Sequence, residues 1–143
     1  YFKSYSTRLM SDIIIKYTGD LRTTATHVSS GSEIITDAPL DNKGKGEKFS
    51  PTDLFATALG SCMLTIMGIT AQTHGINIDD TEVTVKKIMG VNPRRVSCIK
   101  IIINIYNDIS EKDRKLLIKA AHHCPVSKSI NPDIKEDVTF NFH

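Results

Sequence analysis

Residues 51–74 constrain the fold more than any other segment. They run Pro51-Thr-Asp-Leu-Phe-Ala-Thr-Ala-Leu-Gly-Ser-Cys62, continue through Met63-Leu-Thr-Ile-Met-Gly-Ile69 and end at His74. Ser50 stands at the N-cap, Pro51 at the first helical position and Asp53 in the first turn, while Gly75 supplies the stop. Leu54, Phe55, Ala58, Leu59, Cys62, Ile66 and Ile69 recur at the i, i+3/i+4 spacing of one face, and Ala56, Met63 and Met67 widen it. At about 1.5 Å per residue the predicted helix is roughly 36 Å long. A helix apolar over most of its girth must be buried on several sides, by a sheet wrapped around it or by a partner subunit.

The flanking segments read as short strands and two further helices. Asp12–Tyr17, Leu21–Val28 and Glu33–Thr36 form a three-stranded meander with turn residues in each gap, and Asp37–Phe49 is a polar loop. Thr81–Ile88 and Val96–Tyr106 read as a hairpin around Asn92-Pro93. Ser110 with Asp113 opens an amphipathic helix to about His122, Pro125 starts a short one to Ile130, and Asp137–Phe142 alternates as a closing strand. The order βββ-α-ββ-α-α-β indicates an α+β fold with an antiparallel sheet, not a doubly wound one.

Residues 1–9 read as a leader foreign to the native chain, with the native start expected at Met10 and a single domain over 10–143. Without the leader's Lys3 and Arg8 the chain carries 16 basic against 16 acidic residues. The formal charge of +2 therefore gives no reason to expect a nucleic-acid partner. No uninterrupted apolar run reaches the roughly 18 residues of a membrane span, so no membrane partner is expected. With no export segment after Met10 the expected location is the cytoplasm.

Three cysteines, an odd number, argue against a structural disulfide framework. Cys124, in His122-His123-Cys124-Pro125-Val126-Ser127, precedes a helix-starting proline, where unpaired N–H groups favour a thiolate. His122 and His123 would add positive character when protonated. A buried, inert thiol is the plain alternative. Cys62 lies about three turns into its helix, beyond the reach of the terminus, and an apolar helix face is the common place for a core cysteine. A reactive Cys62 needs a cation from elsewhere, for which the early hairpin offers Arg22. Cys98 falls on a strand and reads as structural. The consecutive His122, His123 and Cys124 cannot all aim at one ion, so no metal and no cofactor is expected. Lys43-Gly-Lys-Gly46 lacks the phosphate-loop frame, and a Cys–His hydrolase has no local signature among His27, His74, His122 and His123. Phe55, Met63, Ile66 and Met67 would give an apolar substrate a soft surface beside Cys62.

Phe49-Ser-Pro-Thr-Asp-Leu-Phe-Ala-Thr-Ala-Leu-Gly-Ser-Cys62, taken with His123-Cys124-Pro125-Val126-Ser127, resembles the OsmC/Ohr family of osmotically inducible and organic hydroperoxide resistance proteins. Tyr17-Thr-Gly19, Thr36-Asp-Ala-Pro39 and Gly44-Lys-Gly46 resemble its OsmC-like branch. The resemblance implies an intertwined homodimer whose sheets wrap two long central helices, with active sites at the dimer interface. It implies that Cys62 attacks an organic hydroperoxide, that Cys124 resolves the sulfenic acid as a disulfide, and that a dithiol of the lipoyl type restores the thiols. Arg22 would stabilise the thiolate and the leaving oxygen. In the peroxidase branches a glutamate after the helix-starting proline holds that arginine; here the position is Thr52, leaving Asp53 or Glu47 as the orienting carboxylate. The other reading is a redox-sensing or small-molecule-binding protein of the same fold with little peroxidase turnover.

Overall fold

The computed structural model describes residues 12–143 and divides into two compact units, the second beginning at Thr52. The expected leader and the start at Met10 lie outside the described residues.

The first unit is a three-stranded antiparallel sheet, β1 (Ile13–Gly19), β2 (Arg22–His27) and β3 (Glu33–Asp37), in that spatial order. Between β1 and β2, Asp20 and Leu21 both take positive φ, 54° and 61°, the sense of turn that matches strand twist in a two-residue hairpin. The Leu21 N–H donates to the Tyr17 hydroxyl at 3.2 Å, which anchors this turn in place of a glycine at its second position. Pairing of Ile15 with Ala25 and of Ala25 with Ile34 puts Ile13, Ile15, Tyr17 and Ile34 on one face, where they are between 48% and 67% exposed. Beyond β3 the loop holds a 3₁₀ turn at Leu40–Asn42 and rejoins the sheet through a bridge from Thr36 to Phe49. Gly44 is required in this loop: a Cβ there would sit 1.7 Å from the Ala38 carbonyl oxygen.

The second unit packs α1 (Pro51–His74) on a sheet of β4 (Glu82–Gly90), β5 (Arg95–Ile105) and β6 (Lys135–Phe142), with α2 (Glu111–Ala121) and α3 (Pro125–Ser129) between β5 and β6. Gly75 ends α1 in a left-handed conformation, with its N–H on the Gln72 carbonyl and the Ile76 N–H on that of Ala71, the paired bonds of a Schellman stop. Ser110 caps α2 by accepting from the Asp113 N–H at 3.2 Å. Alternation along β5 buries Ile99, Ile101, Ile103 and Ile105 completely against Leu59, Met63 and Met67 of α1 and Leu117 of α2. Each such side chain contributes about 1.5–3 kcal/mol on leaving water. Gly60 lets α1 approach β4 closely, since a Cβ there would meet Val85 Cγ2 at 2.8 Å.

Three features differ from the sequence reading. The buried stripe of α1 is Ala56, Leu59, Gly60, Met63, Met67 and Ala71, whereas Ile69 is 56% exposed and Phe55 36%. Both faces are apolar, so periodicity does not say which one meets the sheet. The β1–β2–β3 and β4–β5 pairings are antiparallel as expected, but β6 runs parallel to β5. The two intervening helices form the long crossover that a parallel neighbour needs. By length and composition α1 also meets the requirement for a membrane span, contrary to the reading above, although its Leu59–Met63–Met67 stripe is spent on a protein core.

Candidate active site

In the second unit two elements bring two sulfurs together. Pro125 fixes the first turn of α3, and the preceding Cys124 becomes its N-cap, with Sγ accepting the Ser127 N–H at 3.3 Å. Cys62, half-buried on α1, is close enough to the Cys124 thiol to push its pKa up. All three cysteines are free, and Cys98 sits on the opposite face of β5 from Ile99 and Ile101. The surroundings of Cys124 correct the expectation of an acidified thiol. It is completely buried, and that desolvation pushes its pKa up. The Ser127 N–H pulls the other way with smaller effect, and the neighbouring Cys62 and the Glu136 carboxylate push up further. A helix of five residues offers one N–H bond, and complete burial outweighs it. His123 Nδ1 is engaged with the Lys119 carbonyl at 2.7 Å, and His122 stands edge-on to Phe140 with ring centroids 5.8 Å apart. Neither is among the groups that shift the thiol.

Phe55 and Ile66 keep accessible surface on α1, as a substrate contact requires. Met63 and Met67 do not: at 1% and 0% exposure they fill the core against β5, because they lie on the side of the helix that meets the sheet.

The first unit holds a charge clamp. Arg22 opens β2 and Asp37 closes β3, and the register pairs them. Arg22 Nε and Nη2 donate to Asp37 Oδ1 at 2.6 Å and Oδ2 at 2.9 Å, a bidentate pair, and Nη2 also reaches Glu47 Oε2 at 3.0 Å. The Glu47 N–H donates to Asp37 Oδ2 at 3.1 Å, closing the loop onto the strand. Bonding to Arg22 holds the buried Asp37 carboxyl below its ordinary value, and both carboxylates hold the Arg22 proton more firmly. Glu47 is thus one orienting carboxylate, and Asp37 is the stronger one that sequence reasoning missed. Its signal was present in Thr36-Asp-Ala-Pro39: a meander with a two-residue turn after Gly19 sets Arg22 opposite the end of the third strand. Asp53 is engaged differently, by Lys87 Nζ at 2.9 Å, and Thr52 Oγ1 accepts from the same ammonium at 2.6 Å. Among the described residues no three His, Cys, Asp or Glu side chains converge as a metal set.

The fold is α+β, with one free thiol on the long apolar helix and a second at the start of the proline-started one. A family model described as OsmC-like protein matches residues 44–139, and the chain belongs to that family. An uncharacterized protein of Methanocaldococcus jannaschii is 35% identical over 103 residues, covering 66% of this chain and 53% of that protein. The chain spans about half the length of this curated relative. A solved structure from Psychrobacter arcticus 273-4, whose name assigns it to osmotic stress induction and a detoxification response, is 51% identical. Its TM-score is 0.89, with 92% of this chain and 96% of that one covered. An organic hydroperoxide resistance protein from Elizabethkingia anophelis, crystallised with thiocyanate, superposes with a TM-score of 0.72 over 93% of this chain and 97% of its own. At 20% identity it shares the fold alone.

Proposed function

We propose that the chain is a thiol-dependent peroxidase for organic hydroperoxides. The observation that carries this reading is the proximity of the Cys62 and Cys124 thiols, near enough for one to shift the other, one half-buried and one fully enclosed. The Cys62 thiolate attacks the terminal oxygen of ROOH; an S–O bond forms, the O–O bond breaks and alkoxide departs to be protonated as ROH. Cys124 then attacks the sulfenic sulfur, giving a disulfide and water before further oxidation sets in. Two electrons from a dithiol, of the lipoyl type, restore both thiols. Arg22, with its planar fork already fixed by Asp37 and Glu47, is a cation of the kind that stabilises a thiolate and a departing alkoxide. Phe55 and Ile66 contact the apolar part of the substrate. The setting is cytoplasmic, where thiols start reduced.

Intact mass before and after one equivalent of cumene hydroperoxide tests the reading. A rapid loss of about two mass units, mapped to a Cys62–Cys124 crosslink, is the expected result. Thiols left unmodified would overturn it and favour the sensing or binding role.

The working form is a homodimer. The exposed Ile13, Ile15, Tyr17 and Ile34 of the first sheet, and the exposed Ile69 of α1, are the apolar surfaces that a second copy would cover. Sedimentation at micromolar concentration should give twice the chain mass; a stable folded monomer would rule the dimer out.

A further inference from the structure

Strand β6 carries Glu136 on the face that otherwise buries Val138 and Phe140, because the register sets it beside Ile99 of β5. A carboxylate in a row of core positions needs a reason, and its bonding supplies half of one. Glu136 Oε2 accepts from the Ser127 hydroxyl at 2.9 Å, and the Ser127 N–H is the donor to Cys124 Sγ. One serine thus ties the carboxylate and the resolving sulfur to the same turn of α3. The other oxygen, Oε1, is buried and has no hydrogen-bond partner. Such an orphaned acceptor is costly to keep and points to a proton donor that arrives only during the reaction.

Closing the disulfide poses a proton problem at this place. Cys124 is enclosed, so its thiol must lose a proton as sulfur attacks, while the hydroxyl leaving Cys62 must gain one. Around the Cys124 thiol stand Cys62 from α1, the Ser127 N–H from α3 on Sγ and, held by the same serine, Glu136 from β6. Lys87 of β4 shares the Ile99 row but is held by Asp53 and Thr52. Glu136 is therefore the one of these groups that presents a vacant oxygen acceptor. We infer that Glu136 carries the proton of disulfide closure: Oε1 takes it from Cys124 as the S–S bond forms and returns it to the departing hydroxyl, which leaves as water. The carboxylate is regenerated, and no external acid or base is consumed. This rests on the peroxidase reading for the identity of the oxidant, but the proton transfer belongs to the thiol pair itself.

The test follows the two steps separately in wild type, Glu136→Gln and Glu136→Asp. With one equivalent of cumene hydroperoxide, dimedone trapping reports the Cys62 sulfenic acid and mass reports the disulfide. Glu136→Gln keeps an acceptor for Ser127 and removes the proton carrier. It should form sulfenic acid at the wild-type rate but close the disulfide about 10–100-fold more slowly. Glu136→Asp shortens the reach to Ser127 yet keeps a carboxylate, and should close faster than Glu136→Gln. A purely structural Glu136 gives the reverse order, with Gln near wild type and Asp impaired, and that order overturns the inference. Closure driven by diamide, which needs no hydroperoxide, makes the same comparison. Unmodified wild-type thiols under hydroperoxide would count against the peroxidase reading alone; equal diamide closure in wild type and Glu136→Gln would count against Glu136.

Discussion

Under the proposed peroxidase reading, replacing Cys62 by serine should abolish hydroperoxide consumption, and replacing Cys124 by serine should limit it to one equivalent per chain. The asymmetry follows from position. Cys62 is the half-buried sulfur and Cys124 the enclosed one, so peroxide meets Cys62 first. A serine hydroxyl at 62 lacks the nucleophilicity of a thiolate toward the O–O bond, and activity falls to the uncatalysed level. In Cys124→Ser the first oxidation proceeds, and the sulfenic acid then persists or climbs to sulfinic acid. The variant still folds, because serine is a favoured N-cap and its hydroxyl can accept the Ser127 N–H that Sγ accepts in the native chain. Peroxide consumed per chain, with and without dithiol, is the measurement. A Cys62→Ser protein that consumes cumene hydroperoxide as fast as wild type would refute the mechanism.

Asp37→Asn carries the second large effect. Asparagine keeps the shape but accepts one charge-neutral bond where Arg22 now makes two charge-assisted ones, so the guanidinium loses its fixed orientation. If Arg22 serves the proposed peroxidase step, a misdirected cation should lower kcat/KM for hydroperoxide by about 10–100-fold. Glu47→Gln should cost only a few-fold, since Glu47 is 63% exposed and solvent already screens its charge. Asp53→Asn, which disturbs the Lys87 contact and leaves the Arg22 clamp intact, should leave the hydroperoxide step unchanged. The same pair sets a pH dependence. Arg22 depresses the folded pKa of Asp37, so the pair's contribution to stability is fully present above the ordinary value of 3.8 and is lost as pH falls through the depressed value. The difference in Tm between wild type and Asp37→Asn should therefore be constant near neutrality and shrink in acid below 3.8. A difference that grows on acidification would contradict the assigned sign.

Much of the architecture was legible because local chemistry dictates it. Pro51 and Gly75 bound α1, Ser110 and Cys124-Pro125 place the starts of α2 and α3, and alternation marks β5 and β6. What escaped depends on tertiary partners. The face of α1 that meets the sheet is undetermined when both faces are apolar, so Met63 and Met67 read as substrate contacts and turned out to be core. The direction of β6 depends on a crossover that composition does not encode. Cys62, Cys124 and Arg22 stand out in the sequence as chemistry-bearing residue types. The acidity of Cys124 was misread because a helix start is visible in sequence and complete enclosure is not. Asp37 was overlooked because it is one acid among 16, distinguished only by register.

The clamp on Arg22 is closed entirely within residues 22–47, from β2, the end of β3 and the loop that follows. Orientation of the guanidinium is thus carried by one contiguous piece of chain, so a segment spanning residues 22–47 brings its own clamp with it. Thr52, at the start of α1, accepts instead from Lys87 of β4.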